Sequence, residues 1–187
     1  GKVTISGGEI HATGGYLGAG IGGGGDKGSG DVTITGGEIT SATGGKYGAG
    51  IGGGKEGRGD VIIEGNTEVN AAGGTGGAGI GGGHGAKNNS NSTGNQITIR
   101  SNENGSPTVN AVGGGTKKGI ADIGGAGIGT GCNSNADTTI TLEGKVTIKA
   151  TAGKDNVAIG TNGRGYRSSK VPGMYPLLRW QHRIYSE

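Results

Sequence analysis

Gly18-Ala19-Gly20-Ile21-Gly22-Gly23-Gly24 decides how this chain folds, because it returns. The same run stands at Gly48 to Gly54 and at Gly77 to Gly83. It recurs in drifted form as Gly125-Ala126-Gly127-Ile128-Gly129-Thr130-Gly131, and a weaker echo is Val157-Ala158-Ile159-Gly160. Self-similarity at a fixed spacing marks a repeat architecture, in which each unit buries its apolar side only against its neighbours.

Outward from these copies the chain divides into units starting near residues 1, 31, 60, 95 and 137. Ahead of each Gly-rich run lie two short alternating segments. The first is Val3-Thr4-Ile5, Val32-Thr33-Ile34, Val61-Ile62-Ile63, Ile97-Thr98-Ile99 and Thr138-Thr139-Ile140. The second is Ile10-His11-Ala12, Ile39-Thr40-Ser41, Val69-Asn70-Ala71, Val109-Asn110-Ala111 and Val146-Thr147-Ile148. Alternation at period two is a strand with one buried face. Three short strands per unit, joined by Gly-rich bends, predict an all-β solenoid of about five coils: a parallel β-helix, right-handed by analogy with known solenoids. Its coils stack about 4.8 Å apart, each strand pairing with its equivalents. Ile10, Ile39, Val69, Val109 and Val146 are expected to line one inner wall, and Ile21, Ile51, Ile80, Ile128 and Ile159 another.

Composition fits a thin core. Of 187 residues, 51 are Gly and none is Phe, and only 29% are apolar. The net charge of +3 comes from the last 23 residues; residues 1–164 carry thirteen basic and thirteen acidic side chains. A neutral body offers no electrostatic footprint for nucleic acid, and no apolar run is long enough to span a membrane. The lone Cys132 excludes an internal disulfide. A monomer is expected. The chain opens on a repeat strand with no secretion leader, the mark of a piece of something longer. Residues 1–164 form the repeat domain. From 165 to 187 the composition turns aromatic and basic, which reads as a cap over the open end or as a non-native extension.

Several constellations carry candidate chemistry. Gly18 to Gly23 fits G-x-G-x-x-G, but no helix follows to face a pyrophosphate, so nucleotide binding is set aside. Glu9, Glu38 and Glu68 each precede an inward residue of the second strand. Stacked, they form a carboxylate ladder whose repulsion, about 1 kcal/mol per pair in water, a hard cation such as calcium would relieve; solvated carboxylates are the plainer reading. Asp31 and Asp60 form a shorter column. Tyr16 and Tyr47 fall on adjacent coils, with Tyr47 aligned to Leu17, and offer a platform for a carbohydrate ligand. Outward Thr4 and Ser6, Thr33 and Thr35, Thr139 and Thr141 hint at a flat ice-binding array, broken at Ile62, Glu64 and Arg100. His11, His84 and His182 lie in different units, and Arg100 with Asp122 is the least weak catalytic pair, so a lyase-like enzyme ranks low. The triplets Asn88-Asn89-Ser90, Asn91-Ser92-Thr93 and Asn104-Gly105-Ser106 fit the glycosylation sequon.

The block from Val32 to Gly54, Val-Thr-Ile-Thr-Gly-Gly-Glu-Ile through Gly-Ala-Gly-Ile-Gly-Gly-Gly, resembles repeats in large secreted or wall-attached proteins of Gram-positive bacteria. More loosely, it resembles the right-handed parallel β-helix carbohydrate-binding domains of clostridial surface proteins. The resemblance covers residues 1 to about 160. It implies an extracellular or cell-surface, non-enzymatic module that binds polysaccharide or a host or cell-surface glycan, as an adhesin does, sometimes with calcium. A rigid stalk within a surface protein is the rival expectation.

Overall fold

The computed structural model describes residues 1–88, 94–115 and 124–161, and the backbone of one further strand, Arg183–Tyr185. Five coils stack in register. The first holds β1 (Lys2–Thr13) and β2 (Ile21–Gly22), the second β3 (Gly30–Thr43) and β4 (Ile51–Gly52). The third holds β5 (Gly59–Glu64), β6 (Thr67–Ala72) and β7 (Ile80–Gly81), and the fourth β8 (Asn95–Arg100), β9 (Thr108–Val112) and β10 (Ile128–Gly129). The fifth holds β11 (Thr138–Glu143), β12 (Thr147–Thr151) and β13 (Ile159–Gly160). All pairings between successive coils are parallel. The fold is a right-handed parallel β-helix, the hand that parallel strands joined by crossovers adopt.

The three walls differ in width. Walls one and two are halves of a single strand in the first two coils, bent at Gly8 (φ 91°) and Gly37 (φ 93°). From the third coil onward longer bends split them into β5 and β6, β8 and β9, β11 and β12. Wall three is only two residues wide in each coil.

The core is a set of ladders one side chain thick. Val32, Ile34, Ile39, Ile51 and their partners in the third and fourth coils are buried, and the pairing Ile21, Ile51, Ile80, Ile128, Ile159 is unbroken. Where the second and third coils open with Gly30 and Gly59, the fourth has Asn95, fully buried. Its Oδ1 accepts from Gly59 N (2.9 Å) and its Nδ2 donates to Thr138 Oγ1 (2.9 Å), joining three coils. A buried amide is tolerated only when bonded in this way.

The fifth coil corrects the sequence alignment. Ile148, not Val146, pairs with Val109, and Ala150 follows on Ala111; likewise Ile140 pairs with Ile97 and Thr141 with Thr98. The shift is two residues in both strands. It keeps every side chain on its expected face, so the alternating pattern cannot detect it. The threonine array changes too. Thr4, Thr33, Ile62, Thr98 and Thr141 share one outward column, while Thr139 lies beside Gln96 in the column of Lys2, Asp31 and Asp60.

At the far end Arg183–Tyr185 runs antiparallel along β12, pairing Tyr185 with Thr147 and Ile184 with Ile148. The remainder of the tail, Asp122, and the sequon residues from Asn89 to Thr93 lie outside the described residues.

Glycine is required where the backbone turns left-handed or coils touch. Gly22, Gly52, Gly81, Gly129 and Gly160 all sit at φ between 125° and 139°. A Cβ on Gly52 would run into the carbonyl of Gly81 in the next coil. Gly52→Ala is expected to cost about 3 kcal/mol or more, or to abolish folding, by urea denaturation; a loss under 1 kcal/mol would refute this account. Lys27 is the reverse case, a non-glycine residue at φ 61°. Lys27→Gly is expected to gain about 0.5–1 kcal/mol in the same assay, because L side chains pay to enter that region.

Candidate functional site

The bend between walls two and three is a four-residue turn repeated from coil to coil. Gly18 N donates to Gly15 O (3.0 Å), Gly48 N to Gly45 O (3.0 Å) and Gly77 N to Gly74 O (2.8 Å). Neighbouring turns are tied by Gly45 N to Gly18 O and Gly74 N to Gly48 O, both 2.9 Å. Tyr16 and Lys46 therefore occupy equivalent places one coil apart, and so do Leu17, Tyr47 and Gly76.

Because wall three is so narrow, the bend that follows it passes close to this corner. Lys55 N donates to Leu17 O (2.8 Å), His84 N to Tyr47 O (2.8 Å) and Cys132 N to Gly76 O (2.7 Å). Each contact carries a side chain from a later bend to an earlier one. At Gly76 a Cβ would lie 2.6 Å from Cys132 Sγ and 3.0 Å from His84 Cδ2. The missing side chain makes room for His84, whose ring meets that of Tyr47 at 4.7 Å between centroids and 45° between planes.

Lys46 stands at the centre of the cluster. Its Nζ donates to Tyr16 Oη (3.1 Å) and lies 5.3 Å from the centroid of the Tyr16 ring and 4.9 Å from that of Tyr47. Contacts of a cation with ring faces at this range are attractive through the ring quadrupole. The Tyr16 hydroxyl raises the Lys46 pKa above the ordinary lysine value, so the ammonium is charged at neutral pH. Tyr16 itself is 69% exposed and borders an open concavity with Gly15, Leu17 and Gly23 to Gly25.

The sequence placed Tyr16 and Tyr47 together as a platform. The two rings do meet one cluster, but through the lysine rather than against each other. Lys46 was not among the expected residues, although its alignment with Tyr16 is the signal that points to it. His84 and its partner Asn133 (Nδ2 to Nε2, 3.2 Å) carry no such signal, for they arrive from two later coils.

Glu9, Glu38 and Glu68 do stack in register, followed by Thr108 and Thr147. All three carboxylates are exposed. Glu9 Oε1 is bonded to His11 Nε2 (3.2 Å) and accepts from Thr40 Oγ1 (3.4 Å). Among the described residues, no group of three or more His, Cys, Asp or Glu is arranged to hold a metal ion.

A protein-family model described as a beta helix repeat matches residues 3–25 and 32–55. The chain thus carries a parallel β-helix repeat domain, and the matched segments are the two coils that hold Tyr16, Lys46 and Tyr47. No curated protein and no solved structure matches the chain at a significant level. Parallel β-helices serve both in enzymes of the pectate lyase type and in non-enzymatic proteins.

Burial pushes the Cys132 thiol up to about 11, so the nucleophilic thiolate is scarce at neutral pH. Arg100 Nε donates to Glu64 Oε2 at 2.6 Å. His84 is held below the ordinary histidine value, first by burial and also by the charge of Lys55. Its Nδ1 is buried with no partner among the described residues, so a proton there would have no acceptor.

A histidine whose folded pKa lies below its unfolded value of 6.5 lets the unfolded chain bind more protons between the two. Its contribution is whole above about pH 6.5 and falls away as pH drops towards the folded pKa. The thermal midpoint is therefore expected to fall between pH 7.5 and 5, and His84→Gln to flatten that slope. An unchanged slope in the variant would place the dependence elsewhere.

Proposed function

We propose that this chain is a non-enzymatic, extracellular module of a bacterial surface protein that binds polysaccharide at the Tyr16, Lys46 and Tyr47 corner. The observation that carries this reading is the backbone of Tyr47. It sits at φ 74°, where the equivalent residue of the third coil is Gly76 at φ 72°. A bulky side chain in this region costs about 1–2 kcal/mol, strain of the kind that persists where a side chain has to be presented. Here it sets a phenol ring beside an exposed tyrosine, a lysine and a histidine. A pyranose offers apolar C–H faces to aromatic rings and hydroxyls to polar neighbours, so this set of groups suits it.

The non-catalytic part of the proposal is supported by the partner of His84, an amide rather than a carboxylate, and by the buried Cys132 thiol. A second reading, a rigid spacer, is favoured by the unbroken pairing of wall three through all five coils.

The test is retention of the whole chain on a panel of insoluble polysaccharides, with calcium or with EDTA. Tyr47→Gly is expected to lose retention while keeping stability, because glycine is at ease at that φ. Retention unaffected by the substitution would remove the corner from the proposal. No retention on any polysaccharide would leave the spacer. Loss of retention in EDTA alone would redirect attention to the Glu9, Glu38 and Glu68 ladder.

A further inference from the structure

The corner contains a cation that no carboxylate among the described residues neutralises. Lys46 is partly buried, and among the described residues its ammonium forms no ion pair with a carboxylate. The neighbouring cations are spoken for. Lys55 Nζ lies 2.9 Å from Asp26 Oδ1 and 3.7 Å from Glu56 Oε1, and Lys87 Nζ lies 3.3 Å from Glu56 Oε2. Asp26 and Glu56 are thus already engaged. An ammonium has three donors. Tyr16 Oη takes one and the Tyr47 hydroxyl also bears on the ammonium, but neither phenol is a carboxylate that would neutralise it.

The same geometry bears on what can bind. A ring face turned to the ammonium is not free to stack on a sugar, so a ligand that reaches that side of Tyr16 or Tyr47 engages the lysine itself. A neutral hydroxyl accepting from Nζ forms one ordinary bond. An anionic oxygen forms a charge-assisted bond, about twice as strong.

Resting on the polysaccharide reading above, we infer that the ligand is an anionic glycan, and that Lys46 receives a carboxylate, sulfate or phosphate group of the sugar between Tyr16 and Tyr47. The body of the module, with its thirteen balanced charge pairs over residues 1–164, supplies no general attraction for polyanions. Within that body, recognition is therefore local to this corner.

Affinity electrophoresis of the whole chain in gels containing dextran, carboxymethyl-dextran or dextran sulfate tests the inference, since the three probes share one backbone. Retardation by a charged derivative and not by dextran is expected. Retardation by carboxymethyl-dextran alone assigns a carboxylate, and by dextran sulfate alone a sulfate ester. Lys46→Gln is expected to weaken binding about tenfold, the size of one lost charge-assisted bond. Lys46→Arg should retain binding, as should Lys2→Gln on another wall. Thermal melts of each variant establish that the β-helix is intact.

Equal loss in Lys46→Gln and Lys2→Gln, or none in either, would mean diffuse electrostatics and overturn the inference. Equal retardation by dextran and its charged forms, abolished by Tyr47→Gly, would overturn it while leaving the glycan corner standing. No retardation in any gel would overturn the anionic ligand, whereas the polysaccharide panel separately decides the corner.

Discussion

The constraint on which this structure depends is the direction of the peptide groups in wall three. Gly20 N, Ile21 N and Gly23 N all donate to the second coil, to the carbonyls of Ala49, Gly50 and Gly52. The pattern repeats from the second coil to the third and from the third to the fourth. In an ordinary parallel strand successive N–H groups point to alternate sides. Ile21 N and Gly23 N, two residues apart, follow that rule, and Gly20 N is the added donor on the same side; Gly22, Gly52 and Gly81 meanwhile adopt φ of 125–126°. Three bonds per coil are thereby packed into a strand two residues wide, and the Gly-rich run is the cost of that economy of length.

A narrow third wall brings its two flanking bends within reach of each other. That proximity lets Tyr47 O accept from His84 N and Gly76 O from Cys132 N. The candidate site is a consequence of the ladder: residues from the first, second, third and fourth coils meet because the wall between the bends is too short to separate them. The bends also hold columns of left-handed residues, Lys27, Glu56, Gly85 and Asn133 in one, Tyr47, Gly76 and Asp155 in the other. Glycine would fit each position with less strain. That Tyr47 stands in one of them ties the stability of the scaffold to the chemistry of its surface.

Much of the fold was legible from residue types alone. Period-two alternation in Val3-Thr4-Ile5 and its copies identified the strands, and the spacing of the Ala-Gly-Ile runs set the coils. The inner ladder of Ile21, Ile51, Ile80, Ile128 and Ile159 followed directly. The alignment failed in the fifth coil, where the repeats had drifted. Burial fixes a strand's face but not a slip of two, and only the bonds to Asn95, Ile97 and Val109 chose between the registers. Of the site, Tyr16, Lys46 and Tyr47 could be aligned, since equivalent positions in a solenoid are neighbours in space.

The sequence by itself determined the repeat, the buried faces and the need for glycine at the bends, because these are local properties of residue type and spacing. Tertiary structure decided which side chains share a corner. His84 stands 37 positions beyond Tyr47 and Asn133 a further 49. No periodicity links bends on opposite sides of wall three, and their meeting is set by how far apart three backbone bonds hold them.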